Sequence, residues 1–418
     1  MGYRWAASTA VIGAMLGLAA APAVAAADEA IYIYGTPVRV AIAADGTAYL
    51  GNYGQGGGVF VVPSGATKAA RTLSTGGRIT TGLALGPDGT LYVATAEGDQ
   101  GAVGIIPPGA AGVERTVPVA AGLHPLAAGP DGTVYVANPA GDSVSVIAPN
   151  GTAVDRTIKV GAGPAEIAVT KDGTAFVTSQ TAGTVSVIPA GADTVSKTIE
   201  LISDTGTSEQ PHGIAAGPDG TVYVANIKSS DIAVIKPGAD TAAERIFVGG
   251  GPQDVAIASD GSLYITSLLS QKLSVIRPHA KDVAGSIPTD GGPGHLAVAP
   301  DGSAMVISPA VSWPGDGAVV RYSAAALAAA SQGSTAATPP ASGTQGPAAA
   351  VPSAVPAAEA AAQPAAAGSG NALPAGFWYT LPGGVGAAVV ALAAWILVKG
   401  RRRQGRPEDG ACSAGSGL

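Results

Sequence analysis

Between about residues 30 and 322 the hydrophobic positions come in short runs, each broken by Gly, Pro or Asp before a helical stripe can develop. The runs follow one order. An apolar segment such as Glu166-Ile-Ala-Val or Asp254-Val-Ala-Ile leads into an Asp-Gly pair, and a second segment follows with an aromatic residue soon after the Asp. A third segment alternates apolar and small residues, as in Val144-Ser-Val-Ile, Val185-Ser-Val-Ile, Ile232-Ala-Val-Ile and Leu273-Ser-Val-Ile. The fourth, as in Arg156-Thr-Ile-Lys-Val and Lys197-Thr-Ile-Glu-Leu, carries charges suited to an exposed outer edge. Period-two alternation between turn residues predicts strands, four to each repeat.

The Asp-Gly pairs begin at Asp45, Asp88, Asp131, Asp172, Asp219, Asp260 and Asp301, at spacings of roughly forty to fifty residues. That period suits one four-stranded propeller blade per copy, so the sequence predicts an all-β, seven-bladed β-propeller. The stretch Gly129 to Asn138 returns letter for letter at Gly217 to Asn226. Four residues after each Asp stand Tyr49, Tyr92, Tyr135, Phe176, Tyr223, Tyr264 and Met305; four residues before it stand Ala41, Ala84, Ala127, Ala168, Ala215, Ala256 and Ala297. The first strand of a blade lies nearest the axis, where only a small side chain fits, and the invariant alanine answers that crowding. The last copy lacks a fourth strand, and Ile31 to Tyr34 at the start of the chain is left over to supply it. Closure by both ends of the chain removes the two free sheet edges.

What breaks the repeat is not needed to build a blade, and the breaks cluster seven and six residues ahead of the Asp. There stand Val38-Arg39, Thr81-Gly82, His124-Pro125, Ala165-Glu166, His212-Gly213, Gln253-Asp254 and Gly294-His295. These positions ring one mouth of the central channel. Three of the four histidines fall among them. Arg39, His124, Glu166, His212, Asp254 and His295 are therefore the candidate ligand-binding residues, with Arg39 suited to an anionic group. No catalytic residue is assigned. No cofactor is assigned either, although the His and carboxylate set suits a divalent cation; the bland reading is that the same residues cap a wet channel and satisfy backbone groups. The Asp of each Asp-Gly pair is turn chemistry.

Composition limits the partners. A net charge of -7, with no basic run inside the repeats, excludes a nucleic-acid footprint. The single cysteine, Cys412, forms no intrachain disulfide, so the fold rests on packing. No phosphate loop, Gly-x-Ser-x-Gly elbow or Cys-x-x-Cys is present.

The ends read as targeting segments. Residues 1–27 combine Arg4, an apolar stretch and small-x-small sites at Ala23 to Ala27, the pattern of a signal peptide. The propeller then spans 28–322, and an Ala/Pro/Ser/Gly-rich stretch at 323–376 reads as a disordered linker. Residues 377–398 are apolar enough for one transmembrane helix, with Phe377, Trp378 and Tyr379 at its outer border. The tail at 399–418 opens with Lys399, Arg401, Arg402 and Arg403, which makes it cytoplasmic by the positive-inside rule. The expectation is a single-pass protein of the plasma membrane with its propeller outside, partnered by a surface protein, a glycan or a small ligand. The apolar segment and basic tail also resemble a sortase sorting signal, but Leu373-Pro374-Ala375-Gly376 departs from the Leu-Pro-x-Thr-Gly pattern.

Tyr135-Val-Ala-Asn and Tyr223-Val-Ala-Asn, with Ser-Val-Ile in the third strand, resemble the YVTN family of β-propeller repeats, of surface-layer or NHL-like type. The resemblance covers about residues 30 to 322 and implies a propeller at the cell surface acting as a binding or scaffold module. Gly86 to Gly89 and Gly217 to Gly220 are also similar to the repeats of the streptogramin lyases, seven-bladed enzymes with a His base and acidic metal ligands at the channel. That second resemblance implies an alternative, an extracellular enzyme of lyase or lactonase type using a channel-mouth His and a divalent metal. Its nearest counterparts here are His212 with Glu166 and Asp254. The Leu-Trp-Phe-Thr strand of those enzymes is absent.

Overall fold

In a computed structural model, residues 29–98, 100–120, 122, 124–203, 206–289, 291–308 and 317–332 are described. The segments expected as signal peptide, transmembrane helix and cytoplasmic tail lie outside these residues, as does most of the linker. Among the described residues no helix is long and apolar enough to cross a membrane.

The described strands form seven four-stranded antiparallel sheets. Six are built from consecutive strands, the first from Pro37–Ile42, Ala48–Asn52, Val59–Val62 and Arg71–Leu73. The seventh joins Leu296–Val298, Ala304–Ser308 and Gly317–Tyr322 to Glu29–Ile33 from the start of the chain. Ile31 lies opposite Val319 in that ladder, and Arg321 Nη1 meets Glu29 Oε2 at 3.1 Å. Ile31 and Ile33 are buried there.

Each Asp-Gly turn is built alike. The Asp Oδ1 accepts the amide of the residue two positions on, at 2.8 Å in Asp45–Thr47 and 3.1 Å in Asp172–Thr174. The glycine that follows has φ near the +81° of Gly46, a conformation in which a Cβ would be strained. These backbone hydrogen bonds hold the Asp45, Asp88, Asp131 and Asp219 carboxyls below their ordinary value.

The register adds a second reason for the invariant alanine. In all seven sheets its direct cross-strand partner is the bulky residue of the second strand: Ala41 faces Tyr49, Ala168 faces Phe176 and Ala297 faces Met305. A small side chain opposite a large one keeps that face of the sheet level for its neighbour. The core is correspondingly divided. Apolar clusters sit between consecutive blades, for example Val144, Ile158, Val177 and Ile188 between the third and fourth. Another joins Ile31, Met305 and Val319 of the seventh blade to Leu50 and Val62 of the first. The ring therefore closes through side-chain packing as well as through a ladder.

The expected linker does not begin at 323. Ala324–Gln332 is an α-helix, capped by Ser323 Oγ, which accepts the Ala326 amide at 3.1 Å. Its Leu327 is fully buried against Ile287, Leu296 and Tyr322, and Arg277 Nη2 donates to the Ser331 carbonyl at 2.9 Å. An alanine run has high helix propensity, and one leucine gives it something to bury. The helix thus covers the outer edge of the sixth blade, where an added Cβ on Gly285 would strike the Ala330 carbonyl.

Candidate functional site

A strand start is an awkward place, and five of the first strands show it. Pairing slips between Pro37 and Arg39, Thr80 and Gly82, Pro164 and Glu166, Pro211 and Ile214, and Pro252 and Asp254. Each is a β-bulge; in four the residue seven before the Asp is extra, in blade five His212 and Gly213 together oppose Ala225, and a bulge re-aims the side chains beside it. In four of the five the slip begins at a proline, which lacks a ladder amide and tolerates such a position.

The consequence is a division between the two positions that the sequence treats as equivalent. Residues six before the Asp, namely Arg39, Gly82, Pro125, Glu166, Asp254 and His295, line one polar cavity of about 170 Å³ at the channel mouth. Blade five contributes only Gly213 at this level, because an added Cβ would lie 2.5 Å from the Asp254 Cα.

Arg39 Nη1 reaches from blade one to Glu166 Oε1 of blade four at 2.5 Å and spans the mouth. The same nitrogen lies 3.1 Å from His295 Nδ1, while Arg39 Nε donates to the Thr81 carbonyl at 3.2 Å. His295 Nδ1 is also 3.2 Å from Asp254 Oδ2. One ring nitrogen thus faces a cation on one side and a carboxylate on the other. Asp254 accepts the Leu296 amide at 3.2 Å and the Val255 amide at 2.9 Å. Thr178 Oγ1 donates to the His212 carbonyl at 2.8 Å and Thr266 Oγ1 to the Gly294 carbonyl at 2.7 Å, tying the second strand of one blade to the start of the next.

Desolvation dominates the electrostatics. It raises Asp254 to about 6 despite the two amides and the positive field of Arg39. It lowers His295 to about 3, a shift that Arg39 reinforces and Glu166 opposes. The two side chains remain 20% and 13% exposed for His295 and Asp254, so both are reachable from the channel. At neutral pH the site holds a neutral imidazole, an ionised Asp254 and the Arg39–Glu166 pair.

Two of the candidate residues stand apart. His124 does not face the mouth: it is fully buried, with Nδ1 2.8 Å from the Ala137 carbonyl and Nε2 against the Ala120 carbonyl. The first strand of its blade starts only at Leu126, and Pro125 takes the channel-facing place. His124 satisfies backbone groups, the role that the bland reading assigns. His212 sits on the bulge beside the cavity, its Nδ1 3.0 Å from the Gln253 carbonyl and its ring centroid 6.2 Å from that of His295. Gln253 Nε2 lies 3.2 Å from His212 Nε2. Nothing in the sequence marks Gln253 as a clamp on His212. The proline two residues before Arg39, Glu166 and Asp254 was the available signal for telling the two positions apart. Among the described residues no group of three or more His, Cys, Asp or Glu is arranged to hold a metal ion.

No family model matches the chain, and no curated protein sequence matches it. Solved structures do resemble it. Virginiamycin B lyase from Staphylococcus aureus superposes with a TM-score of 0.58 at 12% identity, covering 70% of this chain and 98% of that one. A catalytically inactive variant of that lyase with quinupristin gives a TM-score of 0.57 at 12% identity, covering 70% and 99%. Kuenenia stuttgartiensis hydrazine synthase gives 0.56 at 19% identity, covering 66% and 93%. Likeness at this identity is likeness of fold: the chain is a seven-bladed β-propeller of four-stranded blades.

Proposed function

We propose that the chain is a cell-surface binding module whose propeller presents its channel mouth to a small ligand, or to the exposed end of a protein or glycan. The observation that carries this reading is convergence. Arg39, Glu166, Asp254 and His295 come from four different blades, none is required by the repeat, and all line one cavity. Pockets with a few convergent polar groups and shifted titrations are the usual sites of binding. In this reading the chain belongs with the YVTN repeats, and the segments at 377–398 and 399–418 hold it in the plasma membrane with the propeller outside. No metal takes part, because the fixed positive charge of Arg39 stands against both Glu166 and His295.

The test is a thermal-shift screen of the full-length protein against glycans, peptides and small polar metabolites. At least one class raises the melting temperature of the wild type but not of Asp254→Asn; a screen in which nothing distinguishes the two proteins overturns the reading. Protease added to intact cells releases the propeller by cutting C-terminal to residue 332. Release of the tail alone would reverse the proposed orientation.

A second reading, an enzyme of lyase or lactonase type, is favoured by the contact of His295 with Asp254. A carboxylate that orients a neutral imidazole is an arrangement suited to a general base. It predicts turnover of quinupristin or a simple lactone that disappears in His295→Gln, and a lack of turnover with and without magnesium removes it.

A further inference from the structure

The charges at the mouth are arranged in opposition, and that arrangement selects a ligand class. Arg39 Nη1 and Asp254 Oδ2 flank the same nitrogen of His295, at 3.1 and 3.2 Å, so they stand no more than about 6 Å apart across a neutral ring. Asp254 has no cation of its own within hydrogen-bonding distance among its described contacts; its partners are two backbone amides and the imidazole. A lone anion entering the cavity meets Arg39 but also faces Glu166 and Asp254. A lone cation meets Asp254 but also faces Arg39. A molecule carrying both charges on groups joined through a single carbon sets each against its opposite, and like-charge juxtaposition rejects the other two.

Resting on the reading of this mouth as a binding site, we infer that it takes a small zwitterion, an α-amino acid, whose carboxylate binds Arg39 and whose ammonium binds Asp254. The guanidinium fork matches a carboxylate, and an ammonium supplies the donors that Asp254 lacks. The Arg39 guanidinium is then shared between Glu166 and the ligand's carboxylate. The groups that face Asp254 are His295 and His212 from the neighbouring blades and Arg39 across the mouth. Burial holds a proton on Asp254, while His212 and Arg39 favour its ionised form, and an ammonium pairs with it only once that proton is lost.

Titration calorimetry of the full-length protein with L-alanine, propionate and ethylamine at pH 7.5 tests this. Alanine binds with one site per chain, and each half-molecule binds at least tenfold more weakly. Alanine affinity falls at least fivefold on going to pH 5. Asp254→Asn and Arg39→Gln each lose tenfold or more while unfolding cooperatively, and Arg39→Lys retains part of the affinity. Propionate binding as well as alanine would make this an anion site only, and ethylamine binding as well would make it a cation site only; either overturns the inference. Silence of all three probes overturns it too. If the glycan and peptide screen still finds a ligand sensitive to Asp254→Asn, the binding-module reading survives that failure; if both are silent, both fall.

Discussion

The two mouths of the channel differ in how far the seven blades agree. At the Asp-Gly mouth every blade makes the same carboxylate-to-amide turn, from Asp45 with Thr47 to Asp301 with Ser303. At the other mouth no two consecutive blades contribute the same residue six before the Asp: Arg39, Gly82, Pro125, Glu166, Gly213, Asp254 and His295. The first mouth carboxylates are stabilised by their turns and held below their ordinary value; at the second, Asp254 is pushed up by burial. A carboxylate that serves folding is thus ionised easily, whereas one that is desolvated beside a cavity costs stability and is retained at a site.

The largest effect tests whether the mouths share one closed ring. Deleting residues 28–35 removes the buried Ile31 and Ile33 and leaves the seventh sheet open. The melting temperature of the full-length protein falls by about 10 °C or more, as scanning calorimetry would record. An unchanged melt would show that the ring does not depend on this strand.

Next in size is Arg39→Ala, which leaves Glu166 largely buried without its partner and costs about 2 kcal/mol in chemical denaturation. Adding Glu166→Gln restores most of it, and a double variant no better than the single one argues against the pair. At the opposite mouth Asp131→Ala loses one turn and costs about 1 kcal/mol. Asp254→Asn costs less than Asp131→Ala at pH 7 because it also removes a desolvated charge. A larger loss for Asp254→Asn in the same denaturation would erase the contrast between the mouths.

The smallest effect is a pair of opposite slopes. Asp254, raised above its ordinary value to about 6, holds a proton in the folded state that the unfolded chain has released, so its contribution to stability is lost as pH rises from about 4 to 6. His295, lowered to about 3, is neutral when folded and charged when unfolded, so its contribution is gained as pH rises from about 3 to 6.5. Between about pH 4 and 6 both states of the pair bind one proton, and the wild type shows little dependence from it. His295→Gln exposes a stability that falls with pH, and Asp254→Asn one that rises, each by up to about 1.4 kcal/mol per pH unit. Parallel slopes in the two variants, followed by urea midpoints, would show that the groups do not titrate as a pair.

The repeat made the blades legible because each of its features answers a local demand. An Asp-Gly pair needs φ > 0 at the glycine, and Ala41 must be small opposite Tyr49 whatever lies farther away. The site was half legible for the same reason. Deviations from the repeat pointed to Arg39, Glu166, Asp254 and His295, yet they also pointed to His124, whose ring turns to the Ala137 carbonyl. In five of the seven blades a bulge accompanies the choice of which of two adjacent residues faces the channel, and Gln253 acquires its contact with His212 only when blades five and six meet. In the sequence, Ala324–Gln332 has the composition of a linker, since alanine-rich composition is silent until Leu327 finds the surface that buries it.

The amino-acid sequence by itself determined the number of blades, the order of strands within each and the mouth at which the blades disagree, because those follow from short-range turns and alternation. Only the tertiary structure decided that Arg39 of blade one meets Glu166 of blade four and that one nitrogen of His295 lies between Arg39 and Asp254. Those contacts join residues from 41 to 256 positions apart, and no local rule of the chain relates them until the ring has closed.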